Sequence, residues 1–261
     1  MKLFQSGGDR ATETYFRKSR KRLIRELTAD APPKQRHGSQ SHDEYQAYAT
    51  RELEAYETGT CRALVDGVLA SMPYKEVRDA YIAPVSAEID RLATGGAPLT
   101  VLEVGCGNGT NLMLLQKRHG AVARFTGIDI SANRIATGRE YWADALDAVS
   151  LETMDATNLA AFGDRSFDIV YSICALEQIT YRLHEVVAEM ARVARRAIIC
   201  VEPLPEHGNP EQRLYNLVAD QCRTLTRELQ ATDLDVTEHG LMGVLHNPLN
   251  PVGLIEARRG G

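Results

Sequence analysis

The sequence predicts an α/β fold of the doubly wound type, with a mostly parallel sheet of seven strands. Along residues 99–229, five short apolar segments alternate with helical segments, the pattern of a parallel sheet covered by helices. A glycine-rich turn at residues 105–109 directly follows the first apolar segment. Two further segments, at about 234–242 and 252–258, are joined by a short connection that suits an antiparallel hairpin, so one strand is reversed.

Residues 100–111 have the most informative pattern in the chain. Val101, Leu102 and Val104 supply the apolar run of a strand that is buried on both faces, and a G-x-G-x-G turn and a helix follow. Glycines in such a turn permit positive φ and let a ligand lie against the backbone. A strand, a glycine loop and a helix in this order indicate a site for a nucleotide-like cofactor.

The residues around the loop distinguish between cofactors. A dinucleotide fingerprint has glycine at its sixth position, where this chain has Thr110. Glu103, two residues before the loop, adds an anion that suits a cationic ligand better than a phosphate. The ammonium and sulfonium groups of S-adenosylmethionine are cations of this kind.

Two more acidic residues follow predicted strands. Asp129 ends the apolar run 125–128, where the second strand of a doubly wound fold ends, and a carboxylate there accepts hydrogen bonds from ribose hydroxyls. Ile130 comes next and can pack on an adenine face. A third strand, 149–154, leads to Asp155, whose carboxylate can accept a hydrogen bond from the adenine amino group.

Four segments in this order resemble successive motifs of class I (Rossmann-like) S-adenosylmethionine-dependent methyltransferases of the small-molecule type. They are V-L-E-V-G-C-G-N-G at 101–109, G-I-D-I-S at 127–131, M-D-A at 154–156 and F-D-I-V-Y-S-I-C-A-L-E-Q-I at 167–179. The resemblance covers residues 99–202, and 211–261 only by element pattern. It implies the strand order 3-2-1-4-5-7-6 and the cofactor S-adenosylmethionine, with S-adenosylhomocysteine as product.

Ligands of such a sheet bind beyond the carboxyl ends of the strands, so we expect one cleft between the first and fourth strands. The residues expected to bind the cofactor are Glu103, Gly105, Cys106, Gly107, Asn108, Asn111, Asp129, Ile130, Asp155, Ala156 and Ser172. The candidates for catalysis are His207, His246, Gln178 and Tyr181. Either histidine could act as general base, and no metal site is expected. Many relatives have histidine where this chain has Gln178.

We expect two regions, an N-terminal basic arm with a helical cap or lid at residues 1–96 and a methyltransferase domain at residues 97–261. Apolar residues at helical spacing over 61–72 and 77–92 predict helices of the cap. If the cap closes over a substrate as a lid, its tyrosines would line an aromatic pocket.

The basic run at residues 17–22 has two interpretations. Residues 1–40 carry a charge of about +6 and the rest of the chain about −11. The run is either an arm that binds RNA or another anion, or a solvated helix face that pairs with the acidic body. We favour the second interpretation, because no recognisable RNA-binding module accompanies the run and an acidic body disfavours polyanions.

These observations predict an enzyme that transfers a methyl group to an oxygen or nitrogen atom of a small molecule, of the kind found in specialised metabolism. Two alternatives are open: an RNA-directed methyltransferase that uses the basic arm, and a regulatory protein that binds the cofactor without catalysis. No apolar run reaches the roughly 18 residues of a membrane span and no secretory signal is evident, so we expect a cytoplasmic protein. The sequence does not decide between a monomer and a homodimer.

Overall fold

The computed structural model describes residues 10–28, 58–221 and 224–260. Its strands are β1 (Thr60–Val65), β2 (Val68–Pro73), β3 (Leu99–Val104), β4 (Ala123–Asp129), β5 (Val149–Thr153), β6 (Phe167–Ile173), β7 (Ala194–Pro203), β8 (Asp235–Leu241), β9 (Val244–Leu245) and β10 (Val252–Arg258). Its α-helices are α1 (Arg10–Leu27), α2 (Tyr74–Leu92), α3 (Thr110–His119), α4 (Ala132–Tyr141), α5 (Leu183–Val193), α6 (Pro210–Val218) and α7 (Leu225–Gln230). Short 3-10 helices occupy Ala143–Ala148, Leu176–Gln178 and Pro205–His207.

The main sheet has seven strands in the order β5-β4-β3-β6-β7-β10-β8. The neighbours from β5 to β7 are parallel, and β10 runs antiparallel to both β7 and β8. When the strands of this sheet alone are numbered along the chain, the order is 3-2-1-4-5-7-6. The predicted fold class and strand order are therefore confirmed.

Side chains of the central strands alternate between the two faces of the sheet. Val101 of β3 packs with Ile169 on the face covered by α2 and α3, whereas Leu102 packs with Val170 on the face covered by α5. All four side chains are fully buried. Since helices cover both faces, these strands are apolar runs with few polar residues, and this made them visible in the sequence.

The prediction of a helix over residues 61–72 is wrong, because these residues form an antiparallel hairpin of β1 and β2. Asp66 and Gly67 form its turn with φ values of 47° and 85°, and Asp-Gly between apolar residues is a strong hairpin signal. The apolar spacing of the segment fits a helix as well as a strand, so the turn decides between them. The helix predicted over 77–92 is confirmed as part of α2.

Strand β9 joins the early and the late parts of the chain. Its residues Val244 and Leu245 pair with Val65 and Leu64 of β1, which completes a second sheet in the order β2-β1-β9. This small sheet therefore contains residues from both of the predicted regions. His246 follows β9 directly, so the pairing with β1 fixes where this histidine lies.

Helix α1 is attached to the body of the protein at two points. Arg20, from the basic run, forms an ion pair with Glu211 of α6, as expected for a helix face that pairs with the protein body. On another side, the backbone N–H of Leu69 in β2 donates to Oγ1 of Thr12 at 3.0 Å. Within the described ranges, no helix has both the length and the apolar composition needed to cross a membrane.

Candidate functional site

A cavity of about 670 Å³ lies at the carboxyl ends of β3, β4, β5 and β6, the edge at which a doubly wound sheet binds its ligands. The predicted site residues that line it are Gly105, Cys106, Asn108, Asn111, Asp129, Ile130, Asp155, Ala156, Gln178 and His246. The predicted site residues outside its lining are Glu103, Gly107, Ser172, His207 and Tyr181.

The glycine loop between β3 and α3 forms one wall of the cavity. Gly105, with φ of 76°, lies so close to the loop after β6 that a β-carbon at position 105 would overlap the Ala175 side chain. Gly109, with φ of 83°, begins α3. Gly107 donates its N–H to Oδ2 of Asp129 at 2.9 Å. Gly107 is therefore not part of the cavity lining, but its N–H orients the carboxylate of Asp129, which is.

Asp129 presents a carboxylate of fixed orientation at the end of β4. Its Oδ1 accepts a hydrogen bond from the backbone N–H of Ser131 at 2.8 Å, and its Oδ2 accepts the one from Gly107. An ionised carboxylate has about four lone-pair sites, so both oxygens can accept a further hydrogen bond. This geometry suits a ligand with two neighbouring hydroxyl groups.

Asp155 and Ile130 form the mouth of the cavity. Oδ1 of Asp155 accepts hydrogen bonds from the backbone N–H and the hydroxyl of Thr157 at 2.9 and 2.8 Å, and these bonds lower the pKa of Asp155. Ile130 is 73% exposed, an unusual position for a large apolar side chain. An apolar surface beside a carboxylate suits a flat heteroaromatic ring with an amino group at its edge.

Glu103 is fully buried behind the loop. Its Oε1 accepts a hydrogen bond from Nδ2 of Asn111 at 2.7 Å, and its Oε2 accepts one from the hydroxyl of Tyr171 at 3.0 Å. Burial raises the pKa of Glu103 to about 7, although both hydrogen bonds favour the ionised form. Asn111 lines the cavity, so Glu103 holds the amide of a cavity residue in place from behind.

Helix α2 brings Tyr74 and Tyr81 to the cavity, together with Arg78, which sequence reasoning missed. The guanidinium of Arg78 donates hydrogen bonds to the hydroxyl of Tyr74 at 3.0 Å and to Oδ1 of Asn111 at 3.4 Å. It also lies 5.1 Å from the ring centre of Tyr74. The sequence did contain a signal for these residues, because Tyr74, Arg78 and Tyr81 are spaced at i, i+4 and i+7 and so lie on one side of a helix.

His246 and Tyr81 form a buried pair at the cavity. The hydroxyl of Tyr81 lies 3.2 Å from Nδ1 of His246 and accepts a hydrogen bond from the backbone N–H of His246, also at 3.2 Å. Burial, with a smaller effect of Arg78, lowers the pKa of His246 to about 4. The imidazole is therefore neutral at pH 7, and its unprotonated ring nitrogen can accept a hydrogen bond from a ligand.

This low pKa predicts a pH-dependent stability. Between pH 6.5 and pH 4 the unfolded chain protonates His246 and the folded protein does not, so the free energy of unfolding falls as the pH falls. The contribution of His246 between pH 7 and pH 4.5 should be about 2–3 kcal/mol. Urea denaturation of the wild type and of His246→Asn at both pH values measures this contribution. The free energy of unfolding of the variant should fall by about 2–3 kcal/mol less than that of the wild type. Equal losses would mean that His246 titrates with an ordinary pKa.

Glu202 organises the loop after β6 from beneath. Its Oε1 accepts hydrogen bonds from the hydroxyl of Ser172 at 2.7 Å and from the backbone N–H groups of Ala175 and Leu176 at 2.9 and 3.1 Å. Its Oε2 accepts one from the N–H of Glu177 at 3.4 Å. Burial raises the pKa of this carboxyl despite its four donors. Ser172 therefore contacts Glu202 instead of the cavity.

The loop held by Glu202 lines the cavity along residues 174–179, and Glu177 and Gln178 supply its carboxyl and amide groups. Oε2 of Glu177 accepts a hydrogen bond from Nδ2 of Asn250 at 2.9 Å. Burial, together with the neighbouring Glu202, raises the pKa of Glu177 to about 7. At the start of the loop, Cys174 has φ of 51°, a conformation uncommon for a residue with a side chain. Such strain is often found at functional sites.

His207 and Tyr181 lie outside the cavity lining. Nε2 of His207 is paired with Oε1 of Glu238 in β8 near the surface. Tyr181 is 85% exposed, and its hydroxyl lies 3.4 Å from Oδ2 of Asp220. Of the four candidates for catalysis, the structure thus brings His246 and Gln178 to the cavity.

Residues 101–197 match a family model described as a methyltransferase domain. The 27-O-demethylrifamycin SV methyltransferase of Amycolatopsis mediterranei (strain S699) is 38% identical over 112 residues, which cover 41% of this chain and 39% of that protein. The O-methyltransferase resE of Aspergillus sclerotiorum is 28% identical over 123 residues, which cover 46% of this chain and 45% of that protein. The matches therefore span less than half the length of these curated relatives.

Among solved structures, the magnesium protoporphyrin IX methyltransferase from Synechocystis PCC 6803, with S-adenosylhomocysteine bound, is similar along nearly the whole chain. The match covers 96% of this chain and 98% of that one, with a TM-score of 0.55 and 15% identity. At this level of identity the similarity concerns the fold.

Proposed function

We propose that this chain methylates a hydroxyl group of a small molecule with S-adenosylmethionine. Its residues 101–197 match the methyltransferase-domain family model, and its sheet has the class I strand order. The observation that carries the proposal is the composition of the cavity. It combines a glycine loop and two carboxylates after neighbouring strands, Asp129 and Asp155, with the buried and neutral His246.

The residues of the cavity fit this cofactor. We assign Asp129, whose two oxygens are held by backbone N–H groups, to the ribose hydroxyls. Asp155 and the exposed Ile130 suit the amino group and the face of adenine. Arg78 and Asn111 supply a cation and an amide for the carboxylate and ammonium of the amino-acid portion.

The chain contributes alignment of the acceptor and removal of its proton. Bound S-adenosylmethionine supplies a methyl group already activated by its sulfonium, so holding the acceptor in line is a large part of the task. His246 takes the acceptor's proton at Nε2. The Tyr81 oxygen has two lone pairs and can accept hydrogen bonds from both the backbone N–H and Nδ1–H of His246. This favours the tautomer of His246 that carries its proton on Nδ1 and leaves Nε2 unprotonated.

Two observations favour a hydroxyl over an amine as the acceptor. The positive charge of Arg78 near His246 stabilises an oxyanion as it forms and disfavours a protonated amine. The names of the two curated relatives also specify methylation of oxygen. A small acceptor is supported by the cavity, since residues of α2 and His246 line it together with the residues that we assign to the cofactor.

Calorimetric titration with S-adenosylhomocysteine tests the cofactor assignment through Asp129→Ala. This variant should bind more weakly by about 1.5–3 kcal/mol, because a charged acceptor of two ligand hydrogen bonds is lost. Asp144→Ala, the same substitution at an exposed aspartate outside the cavity lining, should bind as the wild type does. Equal affinity of all three proteins would contradict the ribose assignment.

The same titration with NADH separates two classes of cofactor. We expect micromolar binding of S-adenosylhomocysteine and none of NADH. Binding of NADH alone would make this a dinucleotide enzyme and overturn the proposal. If S-adenosylhomocysteine binds but no hydroxyl compound of a broad screen is methylated, the regulatory alternative gains support.

A further inference from the structure

A second concave site lies outside the methyl-transfer cavity, between α1 and the β1–β2 hairpin. It is a groove of about 700 Å³. Arg10, Lys18 and Arg22 line it from α1, and Arg62 lines it from β1. Tyr15 and Leu69 add apolar surface. None of the lining residues belongs to the cavity described above.

Helix geometry explains how the basic run forms one wall of this groove. Residues 10, 14, 18 and 22 recur every four positions and lie on one side of α1. Arg20, from the same run, points elsewhere and pairs with Glu211 of α6. The interpretation of the run as one solvated face therefore accounts for only part of it, because Lys18 and Arg22 face a groove.

The groove is held open by fixed elements. The N–H of Leu69 in β2 donates to Oγ1 of Thr12 in α1, and the pair of Arg20 with Glu211 anchors the same helix to α6. Tyr15 is partly buried, and burial raises its pKa although Arg22 and Arg62 act in the opposite direction. Both guanidinium groups therefore lie within electrostatic reach of the phenol ring.

The charge of the groove points to an anionic ligand. Within the ranges that the structure describes, its lining includes cations from both walls and no carboxylate. Nε of Arg22 also lies 3.6 Å from Oε1 of Glu26, an exposed pair on the same helix that solvent keeps weak. One guanidinium group can bind two oxygens of a phosphate at the same time through charge-assisted hydrogen bonds. A long polyanion would extend from the groove over a protein body of net charge about −11, so a short ligand is favoured.

We propose that this groove is a binding site for a small organic phosphate, whose phosphate lies between the arginines of α1 and β1 and whose carbon skeleton packs on Tyr15. The proposal is independent of the methyl-transfer reaction. It gives a function to the basic run, which the methyl-transfer cavity does not use.

Phenyl phosphate is a suitable probe, because it combines a phosphate with an aromatic ring and has no nucleoside that could enter the first cavity. Calorimetry at about 0.15 M salt, where charges more than about 8 Å away are largely screened, should show binding to the wild type. Arg22→Glu and Arg62→Glu, one on each wall, should each weaken it by about tenfold or more. Arg17→Glu is the matched control, since Arg17 is an exposed arginine of the same helix that does not line the groove. It should change the affinity by less than about twofold.

Two results would overturn the proposal. One is no binding of phenyl phosphate to the wild type. The other is an equal loss in all three variants, which would indicate a diffuse basic surface. A 20-nucleotide RNA is titrated in parallel, and strong binding of RNA without binding of phenyl phosphate would identify a nucleic-acid surface instead. Circular dichroism and the S-adenosylhomocysteine titration establish that each variant is folded.

Discussion

The His246→Ala variant should bind S-adenosylhomocysteine as the wild type does and yet methylate a hydroxyl acceptor about 10²–10⁴-fold more slowly, the usual contribution of a general base. Among the histidines considered for catalysis, His246 is the one that lines the cavity, and its low pKa keeps it neutral at pH 7. The effect is read from kcat at saturating cofactor, with an acceptor found by screening hydroxyl compounds. Calorimetry gives the cofactor affinity separately.

His207→Ala is the matched control, because it makes the same substitution at a histidine outside the cavity that pairs with Glu238. Its kcat should stay within about twofold of the wild-type value. Tyr81→Phe removes the hydroxyl that contacts both Nδ1 and the backbone N–H of His246, and loss of the contact with the ring should lower kcat by about tenfold. Wild-type kcat in His246→Ala would show that the acceptor loses its proton by another route.

The part of the cavity that we assign to the cofactor could be predicted from sequence because its residues follow strand ends. Asp129 ends β4 and Asp155 comes shortly after β5, and parallel strands bring their carboxyl ends to one edge. The part that we assign to the acceptor depends on contacts between distant parts of the chain. Arg78 and Tyr81 lie on α2, and His246 joins them because β9 pairs with β1. No local pattern in the sequence indicates that β9 pairs with β1.

Three predicted contact residues lie one layer behind the cavity wall. Glu103 supports Asn111, Gly107 holds Asp129, and Ser172 bonds to Glu202. Sequence spacing placed these residues near the site. Which way each polar group points depends on strand alternation and on partners from other strands, such as Tyr171 for Glu103. Proximity was therefore predictable and direct contact with a ligand was not.

The hairpin at residues 60–73 shows a limit of predicting secondary structure from the spacing of apolar residues. Cys61, Leu64, Leu69 and Met72 satisfy helical spacing, but short apolar segments often satisfy both periods. The Asp-Gly pair at 66–67 was the stronger signal, because both residues adopt positive φ in a tight turn. Weighing turn chemistry before periodicity would have identified β1 and β2.

Removal of the Glu202 carboxylate should be the most destabilising single change near the site. Glu202→Ala deletes the acceptor of hydrogen bonds from Ser172 and from the N–H groups of Ala175 and Leu176. Donors left buried without an acceptor cost about 1–3 kcal/mol each, and relief of the buried charge offsets part of this. We expect the free energy of unfolding to fall by about 3–5 kcal/mol in urea denaturation at pH 7.

Two milder variants show whether the backbone contacts carry this effect. Ser172→Ala removes one hydrogen bond and should cost about 1 kcal/mol. Glu202→Gln keeps an acceptor oxygen for Ala175 and Leu176, so its cost should lie between those of the other two variants. If Glu202→Ala costs no more than Ser172→Ala, then water replaces the carboxylate, and the loop that carries Glu177 does not depend on Glu202. A large loss in Glu202→Ala with little loss in Glu202→Gln would instead show that an acceptor oxygen is needed there and a negative charge is not.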